Sequence, residues 1–490
     1  MLRPEWCTSP RSRPSTVIAW VIWLPFVGAV LCYLEPRIAR LVGLAVAVLT
    51  LISIGQLSAE VLRTGAHSYP MGGWLAPLGI TLWADGLAIW MLLLNAVVGV
   101  GVSLFASGYF KAPAAKHFWP LWLLMWGGLN GLYLSADLFN LFVTLEVVGL
   151  TAVALVTLSR ERIALTAAMR YLLAAIFGSL AYLLGVALIY AEHSTLSLML
   201  LADVNATPGM LLALALMTFG MLLKTAIFPF HFWLPLAHAS APAPVSALLS
   251  ALVVKASYYL LLRLWLFVYG DGLAAAAQVL ALLGAAALLY GSLQAFRQRR
   301  LKLLVAYSTV AQLGYLCLAL PLMFIGTSAA AYHGALYHAL AHALSKAALF
   351  LAAGLVLQAY GHDRLSGLRG MATHLPITTF TVALAAVSLA GLPPSGGFIA
   401  KWWLVTAAIG SGQWVWALIM LAGGLFSALY LFRVLVIALL EPRSGAVLHP
   451  VPRGLELIAL ALALLAILIG LRTPELLALL APGSPFGGPP

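Results

Sequence analysis

Charge is what this chain has least of. Only 8% of its 490 residues are charged, against 63% hydrophobic, and the mean hydropathy is +1.04. A soluble core of this size needs far more charge on its surface, so a water-soluble globular domain is excluded. Cysteine is scarce as well: Cys7, Cys32 and Cys317 are scattered with no CxxC spacing, which implies neither a metal cluster nor a disulfide framework. No GxGxxG turn follows a strand and no GxxxxGK[ST] loop is present, so nucleotide and flavin motifs are missing too. No cofactor and no metal are expected on this chain. Energy for any work it does must come from an ion gradient or from partner subunits.

What the chain does have is apolar runs of about 20 residues, the length that crosses a hydrocarbon core about 30 Å thick. They begin near Val17, Leu41, Gly86, Phe118, Leu138, Tyr171, Met210, Val245, Leu273, Leu303, Ala329, Pro376, Val415 and Leu455. The expected fold is an all-α polytopic membrane protein with about 14 transmembrane helices. Lysine and arginine alternate between loops. Arg37/Arg40, Lys111/Lys116, Arg160/Arg162/Arg170, Arg297/Arg299/Arg300/Lys302, Arg364/Arg369 and Arg443/Arg453 share one side, and the other short loops hold little beyond Arg63 and Arg263. The positive-inside rule puts the rich side in the cytoplasm and both termini outside, with Arg3, Arg11 and Arg13 as the opposing signal. A bacterial inner membrane is the expected location. The net charge of +12 is then a cytoplasmic membrane face, and nucleic acid is excluded as a partner.

Four of the seven lysines, Lys224, Lys255, Lys346 and Lys401, fall inside apolar runs, while Lys111, Lys116 and Lys302 read as polar connections. An ammonium at mid-bilayer costs roughly 2.5 kcal/mol or more, so it persists where it faces protein or water and has a role. Two runs are broken beside these lysines. Residues 221–255 carry Lys224, then Pro229, Pro235, Pro242 and Pro244, then Lys255; in SLAGLPPSGGFIAKWWLV, Pro393, Pro394, Gly396 and Gly397 lead into Lys401. Proline removes a backbone donor, and irregular backbone at membrane depth is tolerated only where protein covers it or it lines a wet cavity. The breaks fall on about the seventh and twelfth spans, five apart, which implies two inverted five-helix repeats. Residues 111–270 and 271–440 are the expected repeats, 1–110 the N-terminal helices and 441–490 a last helix and tail.

Glu146 stands about three turns beyond the helix-starting Asp137, and an unpaired carboxylate in hydrocarbon would take up a proton, so Lys224 is its natural partner. His338, His342 and Lys346 recur at i, i+4 and i+8, one polar stripe on an apolar helix, turned inward and able to hold a file of water. Structural roles compete: satisfied histidines at His338 and His342, a helix-packing ion pair at Lys346, caps at Asp85 and Asp137. His231 and His238 lie near a break that reads equally as structural or as opening to the cytoplasm. An ammonium in low dielectric holds its proton weakly and a nearby carboxylate strengthens that hold, so Glu146 can act as a switch on Lys224.

KTAIFPFHFWLPLAHASAPAPVSALLSALVVKASYY, LLVAYSTVAQLGY, HALAHALSKAALFLAAG and GLPPSGGFIAKW resemble the signature segments of the antiporter-like membrane subunits shared by respiratory complex I, membrane hydrogenases and Mrp-type cation/proton antiporters. The resemblance spans about residues 80 to 440 with four motifs in order. Within that superfamily, DLFNLFVTLEVVGL looks most like the D-type component of the Mrp antiporter, and the short stretch after the last span agrees with it. The resemblance implies a polar axis along the membrane plane: Glu146 as the fifth-helix glutamate, Lys224 on broken helix seven, Lys255 on helix eight, His338 and His342 in the histidine-bearing connection with Lys346 on the same stripe, and Lys401 on broken helix twelve. Two departures stand out. The loop before AYST reads RQRRLK where relatives usually carry an acid, and the terminal carrier is lysine where some have glutamate.

The implied function is proton translocation within a multisubunit Na⁺/H⁺ antiporter, with other membrane subunits as partners and no redox chemistry on this chain. Alternatives are a proton-pumping subunit of an NADH:quinone oxidoreductase or membrane hydrogenase, an energy-coupling subunit of a bicarbonate-uptake complex, and a scaffold with a vestigial axis. The full set Glu146, Lys224, Lys255 and Lys401 argues against the last.

Overall fold

The computed structural model describes residues 16–486 apart from 112, 203, 205–206, 269–272, 326–327 and 443–448. Cys7, Arg3, Arg11, Arg13 and Arg443 lie outside the described residues. Helices α1 (Val17–Leu34), α2 (Ala39–Thr64), α3 (Gly86–Tyr109), α4 (Ala114–Leu134), α5 (Leu138–Val156) and α6 (Arg162–His193) come first. An interrupted α7 follows as α7a (Pro208–Thr225) and α7b (Leu234–Ser240), then α8 as α8a (Ala243–Leu248) and α8b (Val254–Val268) joined by a π-helical turn over Leu249–Val253. The rest are α9 (Ala274–Arg297), α10 (Leu301–Phe324), α11 (Ala329–Tyr360), α12a (Pro376–Ala390), α12b (Gly396–Gly410), α13 (Trp414–Leu439) and α14 (Arg453–Leu468).

Twelve of these spans are long and apolar enough to cross a membrane on length and composition alone. The other two are α4, whose tryptophans, glycines and Asn130 lower its hydropathy, and α12, cut by GLPPS into two halves of 15 residues each. The expectation of about fourteen spans therefore holds, and each expected starting residue falls within or beside one of them.

Loops at each end are stitched to one another, which fixes the alternation of direction. At one end Ala136 N donates to Thr81 O (3.0 Å), Leu138 N to Leu196 O (2.9 Å) and Gly86 N to Pro482 O (2.6 Å). At the other, Leu301 N donates to Asp363 O (2.8 Å), Gly370 N to Leu440 O (2.8 Å) and His449 N to Ala359 O (2.9 Å). The second end carries the arginine-rich connections, as the charge bias predicts. The broken helices α7 and α12, five apart, run in opposite directions, as inverted repeats require.

Burial sorts the spans into shells. The apolar windows of α8 and α11 are 100% and 94% buried, whereas those of α1, α13 and α14 are 33% buried, so α8 and α11 form the interior and the others face outward. Small residues let the backbones close up. An added Cβ on Gly178 of α6 would stand 2.9 Å from the Gly220 carbonyl oxygen of α7a, and one on Gly284 of α9 would stand 2.7 Å from that of Gly314 in α10. Such contacts supply the van der Waals packing that drives helix association where water cannot.

Two charged residues lie elsewhere than the sequence placed them. Arg263, read as a loop residue, sits inside α8b and is buried. Its guanidinium grips Asp85 through both terminal nitrogens, Nη1 donating to Oδ2 (2.6 Å) and Nη2 to Oδ1, and its Nε donates to the Tyr259 hydroxyl (2.9 Å). Asp85 is also the cap expected, accepting from Ala88 N (2.8 Å), as Asp137 accepts from Asn140 N (2.8 Å). Lys302, read as part of a polar connection, is buried in the first turn of α10, because the helix begins at Leu301 and the side chain turns inward.

Gly284→Val should lower the melting temperature of the detergent-solubilised protein, reflecting an overpacking cost of about 1–3 kcal/mol. The same change at Gly55, which has open space around it, should be silent. Arg263→Gln should cost about 3–5 kcal/mol by stranding the Asp85 carboxylate, and Asp85→Asn on top should recover part of it. Additive losses in that cycle would show the pair to be uncoupled.

Candidate functional site

Glu146 and Lys224 meet. Lys224 lies in the last turn of α7a, where C-terminal carbonyls favour a cation, and its Nζ is 2.9 Å from Glu146 Oε1 on α5. Ser179 of α6 donates a further hydrogen bond to the same oxygen. The lysine reaches across Gly149 and Gly178, where any side chain would approach it: an added Cβ would stand 3.8 Å from Nζ at Gly149 and 3.3 Å from Cγ at Gly178. The chain turns after α7a through Ala226 in the left-handed region (φ 58°), and Trp233 locks the break by donating to the Leu223 carbonyl (3.0 Å) while stacking on Tyr171 at 4.1 Å. Glu146 keeps 26% of its side chain exposed. It shares the outward stripe of α5 with Phe139, Val143 and Leu150, so its far side looks out of the chain.

The remaining buried lysines have no carboxylate partner among the described residues. Lys255 hydrogen-bonds the Ser250 carbonyl in the π-helical turn, and the Ser250 hydroxyl pairs with that of Thr309 on α10 (2.9 Å). Lys346 of α11 bonds the Val305 carbonyl (2.8 Å) and the Ser308 hydroxyl of α10; the packing ion pair weighed as its structural role does not form. Lys401 of α12b reaches back across the break to the carbonyls of Leu389 (2.6 Å) and Ala390 (3.2 Å), the buried C-terminal end of α12a, with its Nζ 4.7 Å from the centre of the Tyr315 ring. Both the helix end and the ring face favour a cation.

Between these lie the histidines of α11. His338 and His342 stack with ring centres 5.8 Å apart, and His338 Nε2 lies 3.1 Å from the Gln312 carbonyl. Neither ring nitrogen of His342 has a protein hydrogen-bond partner although the residue is buried. His342 stands between His338 and Lys346 on one face of α11. No side-chain hydrogen bond joins Lys224 to Lys255 among the described residues. His231 packs between Phe228 and Tyr290, while His238 lies against Phe350 within electrostatic reach of Lys255, Lys302 and Lys346, again with neither ring nitrogen bonded.

Sequence reasoning missed Lys302, Asp363 and Ser179. The Lys302 Nζ bonds the Ala241 carbonyl at the α7b–α8a corner, and its backbone N–H donates to Asp363 (3.3 Å), which also holds Arg300 at 2.8 Å. The acid absent from RQRRLK is thus supplied by the α11–α12 connection. A signal existed for Lys302, since it is the second residue of an apolar run; none existed for Asp363, whose partner is 63 residues away. Among the described residues no three His, Cys, Asp or Glu side chains gather as a metal site would need.

Residues 135–427 match the family model described as NADH:quinone oxidoreductase/Mrp antiporter, transmembrane. The chain is 36% identical to the N-type component of the NADH-quinone oxidoreductase of Desulforudis audaxviator, covering 90% of each chain. It is 30% identical to the D-type component of the Na⁺/H⁺ antiporter of Alkalihalophilus pseudofirmus, over 81% of this chain and 80% of that one. Its fold superposes on a chain of the Mrp complex from a Dietzia species with a TM-score of 0.88 at 25% identity, covering 96% of each. These relatives are subunits of multisubunit membrane assemblies, and this chain, like them, is a multi-pass membrane protein. The signature segments, the two interrupted helices and the matched span agree: this chain belongs to the NADH:quinone oxidoreductase/Mrp antiporter family of antiporter-like membrane subunits.

Proposed function

We propose that the chain translocates protons along Glu146, Lys224, Lys255, His342, His338 and Lys401, within a multisubunit monovalent cation/proton antiporter that exchanges H⁺ against Na⁺. The observation that carries this reading is the ion pair between the buried Lys224, beside a helix break, and the partly exposed Glu146. While Glu146 is ionised and close, its field holds the proton on Lys224. When Glu146 is neutralised or drawn away, that hold is lost and Lys224 releases the proton toward Lys255 through water. His342 and His338 pass it on, and Lys401 receives it against the α12a carbonyls and discharges it through the second break. Lys346, sharing the field of His342 with Lys255, opposes loading of two neighbouring sites at once. The partly exposed back of Glu146 is where a neighbouring subunit could alter its charge, which couples this chain to its assembly. In this reading residues 111–270 and 271–440 are the two repeats, flanked by 1–110 and 441–490.

A second reading is favoured by one observation, the 36% identity to a component of an NADH-quinone oxidoreductase. There the same axis would be driven by electron transfer on other chains.

In vesicles containing the assembled complex, Lys224→Ala and Glu146→Gln should each slow proton movement by about a hundredfold or more, the scale on which a positioned proton-transfer group acts. The set of assembled subunits should be unchanged. Normal transport in both variants would refute the axis. Mass spectrometry of the complex, extracted gently through a tagged copy of this chain, should show membrane subunits alone; iron–sulfur or flavin subunits would move it to the redox-driven reading.

A further inference from the structure

At the arginine-rich end, a cavity of about 540 Å³ opens between the α9–α10 corner, the α11–α12 connection and α13. Arg299, Arg300, Arg364 and Arg433 line it over Leu365 and Ile437. Its walls are fixed by backbone: residues 300 and 364 form an antiparallel bridge, and Leu365 N donates to the Arg299 carbonyl (2.9 Å). Arg433 is held by a hydrogen bond to the Phe296 carbonyl, with its guanidinium 5.6 Å from the centre of the Phe296 ring. Of the four cations only Arg300 is neutralised, by Asp363; Arg299, Arg364 and Arg433 form no salt bridge among the described residues.

Three uncompensated guanidiniums around one cavity call for an anion, and their forked donors match phosphate oxygens. The surface below the cavity says which kind. Leu289, Leu293 and Phe296 on α9 and Leu425, Leu429 and Val436 on α13 are all exposed and apolar, and the two helices pack side by side. They form an apolar strip leading from the basic cavity into the bilayer. A soluble phosphate would use the cavity and leave the strip idle, whereas a phospholipid would use both. We propose that this cavity binds the phosphate headgroup of an anionic phospholipid of the cytoplasmic leaflet, its acyl chains lying along α9 and α13. Basic pockets between helices on the cytoplasmic side suit such headgroups, and each arginine near the surface contributes about a fivefold gain in binding. The lipid would clamp α13 to the α9–α10 corner at the end of the molecule away from Asp85 and Arg263.

The test is native mass spectrometry of the delipidated complex titrated with cardiolipin, phosphatidylethanolamine or inorganic phosphate. Cardiolipin should bind in preference to phosphatidylethanolamine, and millimolar phosphate should not displace it. Arg364→Gln with Arg433→Gln should weaken cardiolipin binding roughly thirtyfold, whereas the Lys pair at the same positions should retain most of it. Arg160→Gln with Arg162→Gln, at the same end but outside the cavity, should change nothing. Should the double variant fail to assemble, Arg364→Gln alone, on an exposed connection, should give about a fivefold loss. Undiminished binding in the assembled variants, displacement by free phosphate, or a photocrosslinker at Ile437 that captures a neighbouring subunit instead of lipid would each overturn the proposal.

Discussion

An ammonium group inside a bilayer needs oxygen around it, and an unbroken α-helix has little to give, because its carbonyls already accept from its own N–H groups. The fold answers by interrupting helices where lysines arrive. Lys401 takes two carbonyls from the end of α12a, Lys255 one from the π-helical turn of α8, and Lys302 one from the corner between α7b and α8a. Prolines and glycines create the first and last of these sites, and a change in helical pitch creates the middle one. Lys346 differs in borrowing from a regular helix, where the Val305 carbonyl also accepts from the Ser308 and Thr309 hydroxyls.

Lys224 is the exception that gives the row its direction. Its partner is a carboxylate, which can change charge, whereas a carbonyl cannot. The end of the row next to the outward stripe of α5 is therefore adjustable from outside, while the end at α12 is fixed by backbone dipoles. Between them the stacked histidines sit on α11, the helix most thoroughly enclosed among the long spans apart from α8. So many polar groups are compatible with membrane insertion because outer spans such as α1, α13 and α14 shield the interior from lipid.

Much of this was legible in the sequence, and the reasons differ by residue. Spans were readable because a bilayer enforces length and apolarity, and both breaks were readable because proline and glycine have few other uses there. Glu146 and Lys224 could be paired across 78 residues only because a membrane leaves so few charged candidates. Where that scarcity ends, legibility ends. At the loop-facing ends of helices charge is ordinary, so Lys302 and Arg263 passed as loop residues until the helix boundaries placed them inside. Asp363 was hidden for the same reason: its partnership with Arg300 is made by a backbone bridge between two connections that no residue pattern announces.

The buried cations have one more property in common, visible only when partners are put in order along the chain. Lys224 bonds Glu146, Lys255 bonds Ser250, Arg263 bonds Asp85, Lys302 bonds Ala241, Lys346 bonds Val305 and Ser308, and Lys401 bonds Leu389 and Ala390. In every case the group that receives the cation has the lower number. A ribosome working from the N-terminus would thus have delivered each acceptor to the membrane before the cation that needs it, and no buried cation would wait in lipid for a partner not yet made. Arg300 breaks the pattern by pairing with the later Asp363, and its side chain is half exposed at the surface, where water can attend it meanwhile.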